Sequence, residues 1–600
     1  MLSIIKEIFS LLSDDQRKRF YKLQILVTLM AFTELLGIAS IAPFMSLVGD
    51  MSLLEKGGIY TKLYQLSGID DPVNFLFVSG IGVLVALTIS TAVSMFTTWR
   101  LSLYGASVGV QLADRLYSHY MKQDWQFHAS GSSAQLTKQV STESTRISTG
   151  IIQPLMQMNA KVVLALFIAI SILIYNPIVA ITGLFMFVTG YLLMYKLVRK
   201  ALVLNGKRLS SVATNRFRLM NEGFGGIKDV LLLNRNKDFI DRFSNEGDVQ
   251  AKAQGLNQTI AQVPRFFIEL LAFGAMVGLV LILIKTYEGN LGTVLPILAV
   301  YALACFKLLP ALQQIYSSIT QIKANIAAFE SVKQDLINSQ EMIFTQNKSS
   351  TSTSIINLTK EIKLQKIYFA YPNKSTYSVN NISLSIPVNH VIGIVGSSGS
   401  GKSTLIDIIL GLLTPQEGEI YVDNTLITEH NKRSWQDLLG FVPQSIFLSE
   451  GSIAENVAFG IPADEINYNQ VMRALDLAHL TELVNELPEG IHTKVGERGV
   501  QLSGGQRQRI GIARALYNEA DVLIFDEATS ALDGITEKII MDAIHEFTGK
   551  KTIIMIAHRL KTVQKCDTIY LMEKGRIIDQ GTYEYLVANN PKFREMAKHS

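Results

Sequence analysis

The chain contains the segment Gly396-Ser397-Ser398-Gly399-Ser400-Gly401-Lys402-Ser403-Thr404, between an apolar run (Val391 to Val395) and a helical pattern (Leu405 to Leu412). Glycines let the backbone turn successive N–H groups toward a phosphate, and the following helix directs its positive end to the same point. Lys402 is placed to reach the β- and γ-phosphates, and the hydroxyl of Ser403 to bind Mg²⁺. The segment therefore predicts a nucleotide site, with all nine residues contacting the nucleotide, at a strand-to-helix junction of an α/β domain.

A second segment supplies the acidic groups that such a site needs. The short apolar run Val522 to Phe525 ends in Asp526 and Glu527. A run of this length and composition is typical of a buried parallel strand. We expect Asp526 to hold Mg²⁺, directly or through water, and Glu527 to polarise the attacking water. An acidic strand end is common by itself, but together with the phosphate loop it predicts an enzyme that hydrolyses a nucleoside triphosphate.

Between these segments lies Leu502-Ser503-Gly504-Gly505-Gln506-Arg507-Gln508-Arg509. Ser503 and the amides of Gly504 and Gly505 precede a helical pattern, so they are expected to form an anion-binding nest. The segment resembles the signature sequence of ATP-binding cassette (ABC) ATPases. That resemblance implies that the nest, with Gln506, faces the γ-phosphate held by a second subunit, so that ATP lies between two cassettes.

Other positions match the same family, in its order and spacing. The resemblance implies that Tyr371 stacks on adenine, that Gln444 contacts Mg²⁺ and senses the γ-phosphate, and that His558 hydrogen-bonds the γ-phosphate. It also assigns Ser530-Ala531-Leu532-Asp533 to the D-loop, and Gly496-Glu497-Arg498-Gly499 to the segment that communicates with the transmembrane part. No essential position is substituted, so both sites of a homodimer are expected to hydrolyse ATP.

The 600 residues exceed one ordinary domain, and the two halves of the chain differ in character. Long apolar runs dominate up to about Ser317, whereas the chain after about Lys360 is typical of a soluble α/β domain. The small net charge of +4 offers no case for nucleic-acid binding and fits the positive-inside bias of membrane proteins. We predict a transmembrane domain at 1–335, a linker at 336–358 and an ABC ATPase domain at 359–600.

The membrane half contains a series of apolar segments long enough to cross a bilayer, each needing about twenty mainly apolar residues. We expect six spans, at roughly 23–48, 73–97, 151–175, 178–198, 266–284 and 291–312. Six such segments in series do not fit a soluble core. The basic cluster at 17–22 places the N-terminus in the cytoplasm, and an even number of spans returns the ATPase domain there. We therefore predict a multi-pass protein of the bacterial inner membrane with an exporter-type ABC fold.

Two long polar connections, at about 100–150 and 199–263, have helical periodicity and fit helices that continue beyond the bilayer. The family resemblance implies that such extensions end in short coupling helices that dock on the ATPase domains. Candidates lie near 127–137 and 217–231.

Ionisable side chains within spans are costly and often mark functional positions. Our candidates for substrate binding are Glu34 in the first span, Arg265 near the inner end of the fifth, and Lys307 in the sixth. Structural roles stay open for all three. Arg265 and Glu269 have the i,i+4 spacing of a helical ion pair, Lys307 is long enough to reach the headgroups, and Glu34 suits a hydrogen-bond network.

The segments Glu34 to Phe44, Val263 to Glu269 and Phe306 to Leu312 resemble the bacterial flippases of lipid-linked oligosaccharides (PglK type). The resemblance implies that basic side chains engage the pyrophosphate of a polyprenyl-diphosphate glycan. It also implies a helix on the outer side between the first two spans, for which 52–66 is the candidate. Two positions depart from it. Lys307 stands where an arginine is expected and offers a point charge instead of a bidentate fork. Ser90 stands in place of a third basic residue.

Together, these patterns predict a homodimeric ABC flippase that uses ATP and Mg²⁺ to move a lipid-linked oligosaccharide across the membrane. A homodimer is the simplest assembly because each chain carries one cassette and each site needs two. The main alternative is an ABC exporter of drugs or bulk lipids, of the lipid A or phospholipid type, which shares every ATPase residue. The patterns leave the glycan, the lipid carrier and the pathway open.

Overall fold

The described part of the chain forms two compact units, one of residues 1–123 with 130–349 and one of residues 124–129 with 350–600. The computed structural model describes all residues except 1, 56–57, 176, 287–290, 347–355, 373, 497–501, 528–536, 538–540, 542–543, 545, 558 and 599–600.

Long helices dominate the N-terminal half. Seven of them exceed twenty residues, as expected of a domain whose backbone must satisfy its own hydrogen bonds in lipid. The short helix α5 lies almost entirely in the second unit. The helices are α1 (Leu2–Leu11), α2 (Asp14–Gly49), α3 (Ile59–Ser67), α4 (Pro72–Met121), α5 (Trp125–Ser130), α6 (Ser133–Lys138), α7 (Ser144–Ile147), α8 (Gln153–Tyr175), α9 (Pro177–Gly225), α10 (Ile227–Leu232), α11 (Asn236–Gln262), α12 (Pro264–Thr286) and α13 (Leu291–Gln346).

The predicted spans fall on α2, α4, α8, α9, α12 and α13. Within the described residues, four helical segments are long and apolar enough to cross a membrane: Asp14–Gly49, Pro72–Met121, Ser133–Ile174 and Asn236–Gly278. These four confirm a membrane-spanning region, whereas the number six stays a prediction.

Several helices are much longer than a bilayer requires. The 50 residues of α4 span about 75 Å, more than twice the thickness of the hydrocarbon core. The polar connections are therefore largely helical, with short helices where the coupling segments were predicted: α5 and α6 near 127–137, and α10 near 217–231. The outer segment at 52–66 contains a 3₁₀ turn (Met51–Leu54) and α3, and its residues 56–57 lie outside the described part.

The last helix of the membrane half, α13, continues well past the sixth predicted span. Residues 336–346, which we assigned to the linker, are consequently helical, and 347–355 lie outside the described residues. Arg115 of α4 donates to the carbonyl of Leu336 at 3.2 Å and to the hydroxyl of Ser339 at 3.1 Å. These bonds hold the end of α13 against α4.

The second unit combines two β-sheets with short helices. Its strands are β1 (Glu361–Phe369), β2 (Val379–Pro387), β3 (Val391–Gly396), β4 (Glu417–Val422), β5 (Thr425–Leu426), β6 (Leu439–Val442), β7 (Val522–Asp526), β8 (Thr552–Ile556), β9 (Thr568–Glu573) and β10 (Arg576–Gly581). Its further helices are α14 (Lys402–Ile409), α15 (Lys432–Gln436), α16 (Ile453–Val457), α17 (Tyr468–Leu477), α18 (Thr481–Glu486), α19 (Gly504–Tyr517), α20 (Tyr583–Asn589) and α21 (Pro591–Lys598).

The larger sheet has the strand order β10-β9-β3-β8-β7-β6 and is parallel except for β10, and the smaller has the antiparallel order β2-β1-β4-β5. Every residue of β3 is buried, as expected of a parallel strand covered on both faces. Because parallel strands end at a common edge, β3, β8, β7 and β6 deliver their C-terminal residues to the same side of the sheet. The phosphate loop, the acidic pair and Gln444 follow three of these strands.

Candidate nucleotide-binding site

The phosphate loop depends on its glycines for backbone shape and for space. Gly399 and Gly401 have φ values of +77° and +101°, which L side chains rarely adopt. A Cβ on Gly401 would lie 2.3 Å from the carbonyl oxygen of Ser378. A Cβ on Gly396 would lie 2.3 Å from the carbonyl oxygen of Met572. The loop is therefore a tight cradle that leaves room for a ligand instead of side chains.

Lys402 lies at the base of this cradle and is only 5% exposed. Its ammonium donates to the carbonyl oxygens of Gly396 at 2.9 Å and Ser397 at 3.1 Å. Burial lowers the pKa of Lys402, and the nearby carboxylates of Glu527 and Asp526 oppose that shift. The ammonium thus lies between the loop and the acidic strand end, as a phosphate-binding lysine should.

The remaining groups of the loop fit a nucleotide with a divalent cation. Within the described residues, the buried hydroxyl of Ser400 has no hydrogen-bond partner, so it is available to an oxygen-rich ligand. Ser403 lies in the first turn of α14, and Asp526 ends β7. Oxygen groups of Ser403, Asp526 and Gln444 are of the kind that Mg²⁺ prefers, and would hold an ion that neutralises phosphate charge.

Gln444 and Glu527, predicted separately as catalytic residues, contact each other. The amide nitrogen of Gln444 donates to a carboxylate oxygen of Glu527 at 2.7 Å. Glu527 has a φ of +49°, a conformation that costs free energy for a residue with a side chain and is often found at functional sites. Its backbone N–H donates to the carbonyl of Ile556 at 3.2 Å, which holds this turn at the end of β8.

Tyr371 lies beside the loop, as an adenine-stacking residue should. Its hydroxyl is 3.4 Å from that of Thr404, and its ring meets Phe369 edge-on with the centroids 5.1 Å apart. The ammonium of Lys374 lies 5.7 Å from the centroid of the tyrosine ring. Phe369 and Thr404 therefore set the orientation of the ring, and a stacked base would share its face with Lys374.

The signature segment begins α19 with a capping box. The hydroxyl of Ser503 accepts from the N–H of Gln506 at 3.2 Å, and the Gln506 side chain accepts from the N–H of Ser503 at 2.8 Å. Ser503 and Gly504 are exposed, and a Cβ on Gly504 would meet nothing within 4 Å. This open helix N-terminus suits a ligand presented from outside the unit.

Three predicted features lie outside the described part of the chain: His558, the D-loop at 530–533 and residues 497–499.

Asp407 lies near the site and was not predicted from the sequence. Burial, followed by repulsion from Asp526, raises the pKa of Asp407 to about 6, although a hydrogen bond from the indole of Trp125 acts against this. The sequence does contain a signal for this residue, because Asp407 is an acidic residue among the apolar residues of α14. Sequence alone did not indicate that its carboxyl group lies near that of Asp526.

The candidate substrate residues of the membrane half are arranged in two ion pairs. Glu34, 6% exposed, accepts from the hydroxyl of Ser94 at 2.7 Å and lies 3.8 Å from the ammonium of Lys307. Arg265 donates to Glu269 at 2.5 Å, the pairing that the i,i+4 spacing had suggested. The sequence alone did not indicate that Glu34 meets Lys307, or that Ser94 contacts Glu34. Their contact joins α2 to α13.

Comparison with known proteins supports both halves of the chain. A family model described as ABC transporter matches residues 379–530, and one described as ABC transporter transmembrane region matches 23–309. The ATP-dependent lipid A-core flippase of Cupriavidus pinatubonensis is 32% identical over 411 residues, 67% of each chain. That of Pectobacterium atrosepticum is 28% identical over 584 residues, 94% of each chain.

A solved structure of a bacterial Atm1-family ABC exporter with ATP bound has the same fold, with a TM-score of 0.74, 21% identity, and coverage of 97% of this chain and 98% of that one. The family models and the relatives agree on transport coupled to ATP hydrolysis, in the inner membrane with a cytoplasmic ATPase domain. The chain therefore belongs to the ABC transporter family, with an exporter-type transmembrane region followed by an ABC ATPase domain.

Proposed function

We propose that the chain, as a homodimer, is an ATP-driven flippase that moves a glycolipid of the lipid A-core class across the bacterial inner membrane. The observation that carries this proposal is the likeness to the lipid A-core flippase of Pectobacterium atrosepticum, which extends over 94% of both chains. The likeness includes the transmembrane region, where cargo would be recognised, as well as the ATPase domain. It favours this cargo over the lipid-linked oligosaccharide that the sequence motifs had suggested.

In the proposed ATPase site, the loop at 396–404 holds the phosphates of the substrate ATP and Tyr371 stacks on its adenine. Glu527 polarises the attacking water, and Gln444 keeps the carboxylate oriented through the 2.7 Å hydrogen bond between them. His558 contacts the γ-phosphate. The partner subunit's Ser503 completes the site, so that ATP binding draws two cassettes together and hydrolysis separates them.

The proposed path of the cargo includes the two ion pairs of the membrane half. A phosphorylated sugar headgroup is anionic, and Arg265 and Lys307 are the cationic candidates, with side chains 53% and 43% exposed. Each already has a carboxylate partner, Glu269 and Glu34 respectively. Phosphate binding would therefore proceed by exchange of partners, which makes the interaction reversible during transport.

A polyprenyl-diphosphate glycan is the second candidate cargo. It is favoured by the span segments around Arg265 and Lys307 that resemble flippases of lipid-linked oligosaccharides. The guanidinium of Arg265 is half exposed and has the fork geometry that matches a diphosphate. Both candidates are glycolipids with phosphate groups, so a transport assay must separate them.

The test is reconstitution of the chain in liposomes that contain one of three lipids: lipid A-core, a polyprenyl-diphosphate glycan, or a fluorescent phospholipid. We expect lipid A-core to show the fastest ATP-dependent loss of accessibility, and no such loss with the variant Glu527→Gln. Faster movement of the polyprenyl-diphosphate glycan would establish the second candidate. Equal movement of all three lipids would contradict both and indicate a bulk-lipid exporter.

A further inference from the structure

The first unit contains a cavity of about 730 Å³, a volume typical of ligand sites, and most of the residues that line it have polar side chains. The residues that line it lie outside the predicted spans, on the predicted cytoplasmic side, and belong to α9, α11 and α13 and to the segment around α7. One wall is a row of glutamines at four-residue spacing along α11, which places them on a single face. The row is Gln250, Gln254, Gln258 and Gln262.

The opposite wall is also made of neutral polar groups. It includes Ser317, Thr320, Gln321 and Asn325 of α13. Among the described residues that line the cavity, the one charged side chain is Arg146, and none is a carboxylate. A lining that contains one cation and no carboxylate does not suit a cationic ligand.

Buried ionic contacts hold Arg146 in place at the edge of the cavity. Its guanidinium donates to Glu143 at 2.9 Å, to the hydroxyl of Ser210 at 2.7 Å and to the side chain of Asn325 at 3.2 Å. Glu143 is fully buried and also lies 3.2 Å from the ammonium of Lys138. Two cations and one anion leave a net charge of +1 beside the cavity, which favours a neutral or anionic ligand.

Carboxamides suit sugars because each offers two donors and an acceptor, the same combination that sugar hydroxyls require. Gln254, Gln258 and Gln262 are exposed and therefore accessible from the cavity. Gln250 accepts from Arg216 at 2.6 Å and Asn257 accepts from Asn205 at 3.1 Å, so parts of the wall are held in position before any ligand arrives. Such preorganisation lowers the entropic cost of binding.

We propose that this cavity binds the sugar part of the cargo headgroup, a short oligosaccharide that is neutral or phosphorylated, before the lipid crosses the membrane. The inference rests on the proposed transport of a glycolipid. In this arrangement the glutamine row contacts the sugar hydroxyls, and the net positive cluster around Arg146 favours headgroups that carry phosphate.

The test uses the full chain in detergent and the core oligosaccharide released from rough lipopolysaccharide, with binding measured by calorimetry. The double variant Gln254→Met/Gln258→Met keeps the length of the side chains and removes their hydrogen bonds. We expect roughly tenfold weaker binding, and about threefold for each single variant, since each lost hydrogen bond contributes modestly. Gln334→Met, the same change at an exposed position of α13 outside the cavity, should bind like the unchanged protein.

The single variants keep the test valid if the double variant fails to fold. Equal binding by the unchanged protein and by the variants would overturn the inference, and so would the absence of binding. A loss of dimer in the variants would overturn it as well, because the glutamine row would then be a contact between copies of the chain.

Lipid-stimulated ATPase activity separates this inference from the proposed function. If lipid A-core stimulates the unchanged protein but the glutamines do not affect oligosaccharide binding, the cavity assignment fails and the proposed function stands. If the oligosaccharide binds through the glutamines but lipid A-core gives no stimulation, the cavity stands as a sugar site and the proposed cargo is wrong.

Discussion

The side chains of Gln444 and Glu527 meet at the ends of the neighbouring strands β6 and β7. The hydrogen bond orients the carboxylate of Glu527 for its proposed action on the attacking water. A carboxylate held in this way performs chemistry that an amide of the same shape does not, because the amide is a much weaker base. The pair therefore provides a direct test of the proposed catalytic role.

We predict that Glu527→Gln lowers steady-state ATP hydrolysis by about 100-fold or more, the usual contribution of a general base, and leaves ATP binding within about threefold. Phosphate release and binding of a fluorescent ATP analogue would measure the two quantities. Glu595→Gln, at an exposed glutamate of α21, is the matched control and should leave both unchanged. Near-normal turnover in Glu527→Gln would refute the assignment.

The carboxyl group of Asp407 makes stability depend on pH. Its pKa of about 6 in the folded protein is above its ordinary value of 3.8, so the folded state binds the proton more tightly than the unfolded state. The free energy of unfolding should therefore fall as the pH rises from about 4 to about 6, and then stay level.

We predict that Asp407→Asn raises the midpoint of thermal unfolding at pH 7 and has little effect at pH 4, because the asparagine carries no charge to bury. Unfolding of the full chain, followed across this pH range, would measure the difference. Asp464→Asn, at an exposed aspartate, should shift the midpoint by the same small amount at both pH values. A gain at pH 4 as large as that at pH 7 would contradict the explanation.

The contact between Lys307 and Glu34 predicts a coupling between α2 and α13. Lys307→Met should lower thermal stability in nanodiscs, because it removes the cation beside a buried carboxylate that also accepts a hydrogen bond from Ser94. Glu34→Gln added to that variant should restore much of the loss, with a coupling of about 1 kcal/mol in the double-mutant cycle. If the losses of stability in Lys307→Met and in Glu34→Gln simply add in the double variant, the ion pair contributes nothing to stability.

The glycines of the phosphate loop are needed for the space they leave as much as for their backbone conformation. Gly401→Ala places a methyl group against the carbonyl of Ser378, 2.3 Å away, at a φ of +101°. Gly399→Ala meets nothing within 4 Å and has only the strain of a positive φ, at +77°. We predict loss of ATP binding for Gly401→Ala and a much smaller loss for Gly399→Ala, measured by binding of the fluorescent ATP analogue. Equal losses would mean that backbone conformation alone controls the loop.

In the complete transporter, each ATP is proposed to contact two chains, which predicts a specific complementation pattern. A mixed dimer of one Lys402→Ala chain with one Ser503→Arg chain places both defects in the same composite site and leaves the other site intact. We therefore expect ATP hydrolysis by this mixture at roughly half the normal rate or less, well above either variant alone.

A mixture of the unchanged chain with the Lys402→Ala/Ser503→Arg chain provides the contrast, because its mixed dimer has one defect in each site. Tagged copies allow both mixed dimers to be purified before the assay. If each site were formed within a single chain, the pattern would be reversed: the second mixed dimer would be active and the first would not.

The sequence by itself determined the nucleotide machinery, the membrane region and their order along the chain. The phosphate loop, the acidic strand end and the signature segment are short and contiguous, so local backbone geometry and residue type are sufficient to identify them. The apolar runs are equally local, because the thickness of a bilayer sets their length. The number of spans and the cargo do not follow from a contiguous motif.

Only the tertiary structure decided which side chains meet. The bond between Gln444 and Glu527, the ion pair of Lys307 with Glu34, and the burial of Asp407 near Asp526 all join residues far apart in the chain. Their energies depend on distance and on exclusion of water, which a one-dimensional pattern does not contain. The place of the glutamine row of α11 in a cavity likewise required the packing of α11 against α9 and α13.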